Sequence, residues 1–118
     1  MTNLISKNIN HNKIDLIMGK ILVGKTSDVA QNTMKKFSVE EKEILIVNIG
    51  EFYAVDDTCT HSGASLSEGK LNDSTIVCGW HGAQFSCKDG CLVKFPATIS
   101  GLKSYKVVVE EDDIFVEV

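Results

Sequence analysis

The sequence predicts an all-β protein, an antiparallel sandwich or barrel, and three observations carry the prediction. Short β-branched and aromatic runs recur every 8–12 residues between turn signals. No segment longer than ten residues holds an apolar stripe at helical spacing. The only proline is Pro96, so nothing interrupts the strand-rich stretches before it. At 118 residues and 43% apolar content, the chain suits one globular domain with one substantial core.

Taken in order, residues 1–19 read as an Asn-rich N-terminal extension without a clean period, and residues 20–118 as the domain. Ile21-Leu22-Val23 opens the domain. Phe37–Val39, Glu43–Ile49 and Phe52–Val55 follow, split by the short gaps Glu41-Lys42 and Gly50-Glu51, which suit hairpins. Ser27 or Asp28 is placed to cap one short helical turn through Val29-Ala30-Gln31. Thr75–Val77 is the next strand. Ala83–Cys87 and Cys91–Lys94 flank Lys88-Asp89-Gly90, a turn whose glycine takes positive φ. Tyr105–Glu110 and Ile114–Val118 form a last hairpin around an acidic turn.

Charge narrows the function. The net charge is −4, and all twelve cations are Lys. The absence of Arg, the side chain that grips phosphate with two parallel hydrogen bonds, argues against nucleic acid as a partner. Acidic runs at Glu40-Glu41 and Glu110–Asp113 read as solvated turns, with steering toward basic redox partners as the functional alternative. The longest early apolar run, Ile14–Met18, contains Asp15 and is too short for a signal peptide. No stretch approaches the ~20 apolar residues that span a bilayer. The expectation is a soluble, cytoplasmic protein with no membrane partner.

The chemistry lies in two tight pairs, Cys59-Thr60-His61 and Cys78-Gly79-Trp80-His81. Each brings one thiolate and one imidazole to a loop tip. Two Cys and two His are the ligand set of a mixed-ligand [2Fe–2S] cluster, and also of a tetrahedral zinc site. Zinc fingers usually keep Cys with Cys and His with His, whereas each loop here mixes the two. That mixing favours the two-iron centre; zinc, or buried cysteines and surface histidines with no connection, are the alternatives. Gly63, Gly79 and Gly82 let backbone approach the site closely. No Ser-His-Asp set, phosphate-binding glycine loop or paired catalytic carboxylates appear, so no catalytic residue is assigned and the protein is not read as an enzyme in its own right.

Beyond the ligands, the stretch Ala54–Gly69 (AVDDTCTHSGASLSEG) resembles the first cluster loop of soluble Rieske ferredoxins. Cys78–Phe85 (CGWHGAQF) resembles the second, followed by the usual Asp-Gly turn at Asp89-Gly90. Phe95-Pro96-Ala97 is similar to the proline loop that covers the cluster. The resemblance runs from about Lys20 to the C-terminus, with Gly79 standing where the family most often has proline. It implies the Rieske fold, with an antiparallel base and a cluster-binding subdomain near residues 55–97. It implies one [2Fe–2S] cluster per chain, with Cys59 and Cys78 on one iron and His61 and His81 on the outer one. It also implies a one-electron carrier between a reductase and an oxygenase or other redox partner. A small Rieske subunit of a nitrite-reductase-like complex and a zinc-stabilised interaction module are the rival functions.

Two pairs of positions separate kinds of Rieske protein. Respiratory members carry an extra cysteine in each loop; here Ala64 and Trp80 stand there, so no loop-to-loop disulfide forms. The same members place Ser and Tyr hydroxyls near the cluster, where this chain has Ala83 and Phe85. Fewer hydrogen bonds to cluster sulfur imply a potential near the low end of the range, roughly −150 mV rather than +300 mV. Trp80 is expected to shield the site, Phe95-Pro96 to pack over it, and Cys87 and Cys91 to stay reduced.

Overall fold

A computed structural model describes residues 19–60, 62–80, 82–95 and 99–117. The strands are β1 (Lys20–Lys25), β2 (Thr33–Val39), β3 (Lys42–Asn48), β4 (Phe52–Asp56) and β5 (Lys70–Asn72). They continue as β6 (Thr75–Val77), β7 (Gln84–Ser86), β8 (Leu92–Lys94), β9 (Ser104–Glu110) and β10 (Asp113–Glu117). Pairing is antiparallel throughout the named strands. Six strands make one sheet in the order β1-β10-β9-β4-β3-β2, and four make a second in the order β5-β6-β7-β8. The smaller sheet is inserted in the chain between β4 and β9. The all-β prediction holds.

β3 explains why the two sheets belong together. Ile44, Leu45, Ile46 and Val47 are all fully buried, and successive residues of a strand point to opposite faces. Ile44 and Ile46 therefore enter one core with Ile21, Ala54, Ile114 and Val116. Leu45 and Val47 enter the other, with Cys59, Leu66, Cys78 and Phe85. A strand buried on both faces reads as a continuous apolar run, as β3 does. Each such side chain contributes on the order of 1.5–3 kcal/mol by leaving water.

The large sheet curls until its outer strands meet. A bulge falls between Leu22 and Gly24 on β1. The Phe37 ring of β2 lies so close to Gly24 that a Cβ there would sit 2.8 Å from Phe37 Cε2. β4 and β9 are joined through only two residue pairs, Ala54↔Tyr105 and Val55↔Ser104. Tyr105 reinforces that join by donating its hydroxyl to Asp56 Oδ1. Burial, and then this bond, hold the Tyr105 phenol well above its ordinary pKa.

Local differences from the sequence reading have physical reasons. The β2–β3 turn is Glu40-Glu41, with φ of 53° and 68°, rather than Glu41-Lys42. Both residues sit in the left-handed region, at a cost of roughly 1 kcal/mol each, and the seven register pairs from Thr33↔Asn48 to Val39↔Lys42 hold them there. The short helical turn is a 3₁₀ turn over Thr26–Asp28, not Val29–Gln31. Asp28 turns back to accept the Lys25 N–H at 2.9 Å instead of starting a helix, and Val29 is extended and buried. In the acidic β9–β10 hairpin, Glu110 bonds Lys20 and Asp113 bonds Lys25, each at 2.6 Å. The expected extension lies almost wholly in residues 1–18, outside the described residues.

Candidate metal centre

The two Cys loops have the same backbone. Cys59 N–H donates to Ala64 O at 2.9 Å, and Gly63 N–H donates back to Cys59 O at 2.9 Å. Cys78 N–H donates to Ala83 O at 2.8 Å, and Gly82 N–H donates to Cys78 O at 3.1 Å. Gly63 and Gly82 have φ of 78° and 76°, the left-handed step that closes each turn and that glycine takes without strain. Each loop thus presents a cysteine at the same point of an equivalent turn. The sulfurs are 1% and 2% exposed by residue and share one apolar core with Leu66, Ala83, Phe85 and Leu102. The loops also touch: Ser62 Oγ lies 3.5 Å from Cys78 Sγ. His61 and His81, the other two predicted ligands, lie outside the described residues.

The first loop is organised by Asp57, a buried carboxylate at 2% exposure. Its Oδ2 accepts the Ser65 hydroxyl and its Oδ1 accepts the Ser67 N–H at 2.9 Å. Its carbonyl accepts the Leu66 N–H at 2.7 Å, and its own N–H goes to Glu43 O at 3.0 Å. The start of the 3₁₀ turn Leu66–Glu68 is therefore satisfied by one residue, as a helix start requires. The sequence reading assigned Asp57 no role; an Asp two residues before a Cys with an S-x-S beyond it is the signal available.

The second loop leans on the first. Gly69 sits against it so tightly that a Cβ would come within 2.0 Å of Val77 O. At Gly79 a Cβ would meet nothing nearer than 3.5 Å, so space does not demand glycine where the family prefers proline. Thr60 Oγ1 donates to Ser100 O at 2.6 Å, tying the first loop to the segment after β8. Phe95 and Ile99 pack against the core that holds both cysteines, as expected of a covering segment. Pro96 and Ala97 lie outside the described residues. Gly90 closes the β7–β8 turn at φ 78°, under the Leu102 carbonyl.

Trp80 departs from expectation. It is 66% exposed, and a ring that open does not shield the centre. Cys87 is buried and Cys91 exposed, and the structure joins neither in a disulfide. Burial pushes the Cys87 thiol up, while a bond to Asp89 raises that of Cys91.

Two buried sulfur donors, delivered by matched loops into one apolar core, fit a cluster that takes thiolates on one side. Comparisons agree. The Rieske [2Fe-2S] domain model matches residues 19–106. The chain is 37% identical over 93 residues to the ferredoxin component of biphenyl 2,3-dioxygenase from Rhodococcus jostii (strain RHA1), covering 78% of this chain and 86% of the relative. It is 38% identical over 101 residues to the ferredoxin subunit of 3-phenylpropionate/cinnamic acid dioxygenase from Escherichia coli (strain K12), covering 85% and 94%. Among solved structures, a chain of the complex of reduced oxygenase and oxidized ferredoxin in carbazole 1,9a-dioxygenase superposes with a TM-score of 0.76 at 34% identity, covering 84% and 93%. The chain belongs to the Rieske [2Fe–2S] domain family. Within it, the chain is a Rieske ferredoxin: it carries one [2Fe–2S] cluster and works as an electron carrier. Among the described residues, no helix is long and apolar enough to cross a membrane.

Proposed function

We propose that the chain is the ferredoxin component of an oxygenase system, taking single electrons from a reductase and passing them to the oxygenase. In this reading Cys59 and Cys78 bind one iron, and His61 and His81 the outer iron. Residues 20–118 form the domain, and about 55–97 its cluster-binding part. The bound cluster supplies one-electron chemistry with no bond made or broken in a substrate. The chain's own residues do the rest. Leu66, Phe85 and Leu102 keep water from the sulfur side. Asp57 and the glycine-closed turns fix where the sulfurs stand. No residue is assigned to catalysis, and the setting is cytoplasmic.

The matched backbone of the Cys59 and Cys78 loops supports this reading above all. Iron and sulfide analysis with EPR of the reduced protein tests it. Two irons per chain are expected, lost in Cys59→Ala, Cys78→Ala, His61→Ala and His81→Ala. A colourless protein holding one tetrahedral ion refutes the cluster. Electron delivery to a purified oxygenase that requires both a reductase and this protein tests the partners; delivery that proceeds equally without it refutes them.

A further inference from the structure

We propose that Ser62 sets the reduction potential, its hydroxyl donating a hydrogen bond to the Cys78 sulfur across the gap between the two loops. The inference rests on the reading of Cys78 as a ligand. Ser62 Oγ stands 3.5 Å from Cys78 Sγ, and it accepts the Ala64 N–H at 3.3 Å. That second bond occupies an oxygen lone pair and leaves the hydroxyl proton for another acceptor. A ligating cysteine is a thiolate with no proton to give, so Ser62 is the donor. Cys78 is 2% exposed and shares its core with the fully buried Ala83 and Phe85. In such low-dielectric surroundings a charge-assisted hydrogen bond is stronger than in water.

The consequence follows from charge alone. Reduction adds one electron, and negative charge on the sulfurs rises. A donor aimed at a sulfur then stabilises the reduced form more than the oxidised form. Ala83 and Phe85 offer no hydroxyl from the second loop. Ser62 supplies one from the first, next in sequence to a proposed ligand. It holds the potential above the value that the apolar lining alone would give.

Full-length holoprotein carrying Ser62→Ala, Ser62→Thr or Ser62→Val tests this by redox titration at fixed pH, with iron counted in each. Threonine keeps the hydroxyl; valine has nearly the same shape without it. Alanine and valine are expected to keep two irons and to lower the reduction equilibrium constant roughly tenfold, about 59 mV for a one-electron couple, with threonine near the parent. If alanine loses iron, the threonine–valine difference reads the same quantity. Equal potentials for threonine and valine, with two irons in both, overturn the assignment and leave the ligand reading intact. Two irons retained in Cys78→Ala overturn the ligand reading and this inference with it.

Discussion

Replacing Asp57 by alanine removes one buried carboxylate and tests how the first loop is held. Its side chain has two partners, the Ser65 hydroxyl and the Ser67 N–H. After the substitution the Ser65 hydroxyl still has Ser67 Oγ at 2.7 Å, whereas the Ser67 N–H loses its acceptor. The Ser67 N–H is half-buried, so losing its acceptor together with the hydrogen bond from Ser65 costs roughly 1–3 kcal/mol in total. That is a large share of a typical stability of about 5–15 kcal/mol. Asp57→Asn keeps the shape and an acceptor oxygen for the Ser67 N–H, and the Ser65 hydroxyl turns to accept from the amide; about 1 kcal/mol is expected. Urea unfolding of both variants, with slopes compared to exclude a change in the unfolded state, measures the loss. Iron per chain reads whether the Cys59 loop still binds. Alanine and asparagine variants as stable as the parent, each with full iron content, would refute the claim that Asp57 organises this loop.

Four other outcomes follow. Gly90→Ala puts a Cβ 2.2 Å from Leu102 O at a φ of 78°, so a loss of at least ~2 kcal/mol in thermal or urea unfolding is expected. Tyr105, raised by burial and by Asp56, keeps its stabilising contribution below the unfolded value of about 10 and loses it as pH rises toward the higher folded value. Stability should thus fall above about pH 10 in the parent, and the fall should be smaller in Tyr105→Phe; parallel profiles contradict this. A thiol reagent on the native holoprotein should label Cys91 quickly and Cys87 only after unfolding, and equal rates would contradict the burial of Cys87. The midpoint potential should lie below zero, near the low end of the range at roughly −150 mV, because Ala83 and Phe85 lack hydroxyls.

Much of this was legible in the chain because the signals were local. The run Ile44–Val47 announced a strand, though not its burial on both faces, and Thr75–Val77 carried its own β-branched pattern. The two Cys/His pairs marked two related loops although their spacings differ by one residue, and the loops' hydrogen bonds repeat residue for residue. β5 was missed because Lys70–Asn72 has one half-buried apolar side chain, and its conformation comes from pairing with β6. The first half of β2 was missed for a related reason: Lys35 and Lys36 are both exposed, which breaks the alternation. Asp57 and Ser62 were silent because their partners are set by tertiary folding. Asp57 reaches Ser65 and Ser67 around a loop, and Ser62 reaches a cysteine on the other loop. Trp80 misled because an aromatic beside a proposed ligand suggests cover, while its exposure depends on loop direction.

The shared wall formed by β3 limits how this protein is re-engineered. The four strands of the small sheet are three residues each, at the short end of strand length, and their apolar face is covered from outside the insert. The insert rests on Leu45 and Val47, which come from earlier in the chain. A graft that moves only residues 57–95 into a new host arrives without its floor. A transplant that succeeds must bring β3 along, or choose a recipient whose own strand offers the same pair of aliphatic side chains at the same spacing.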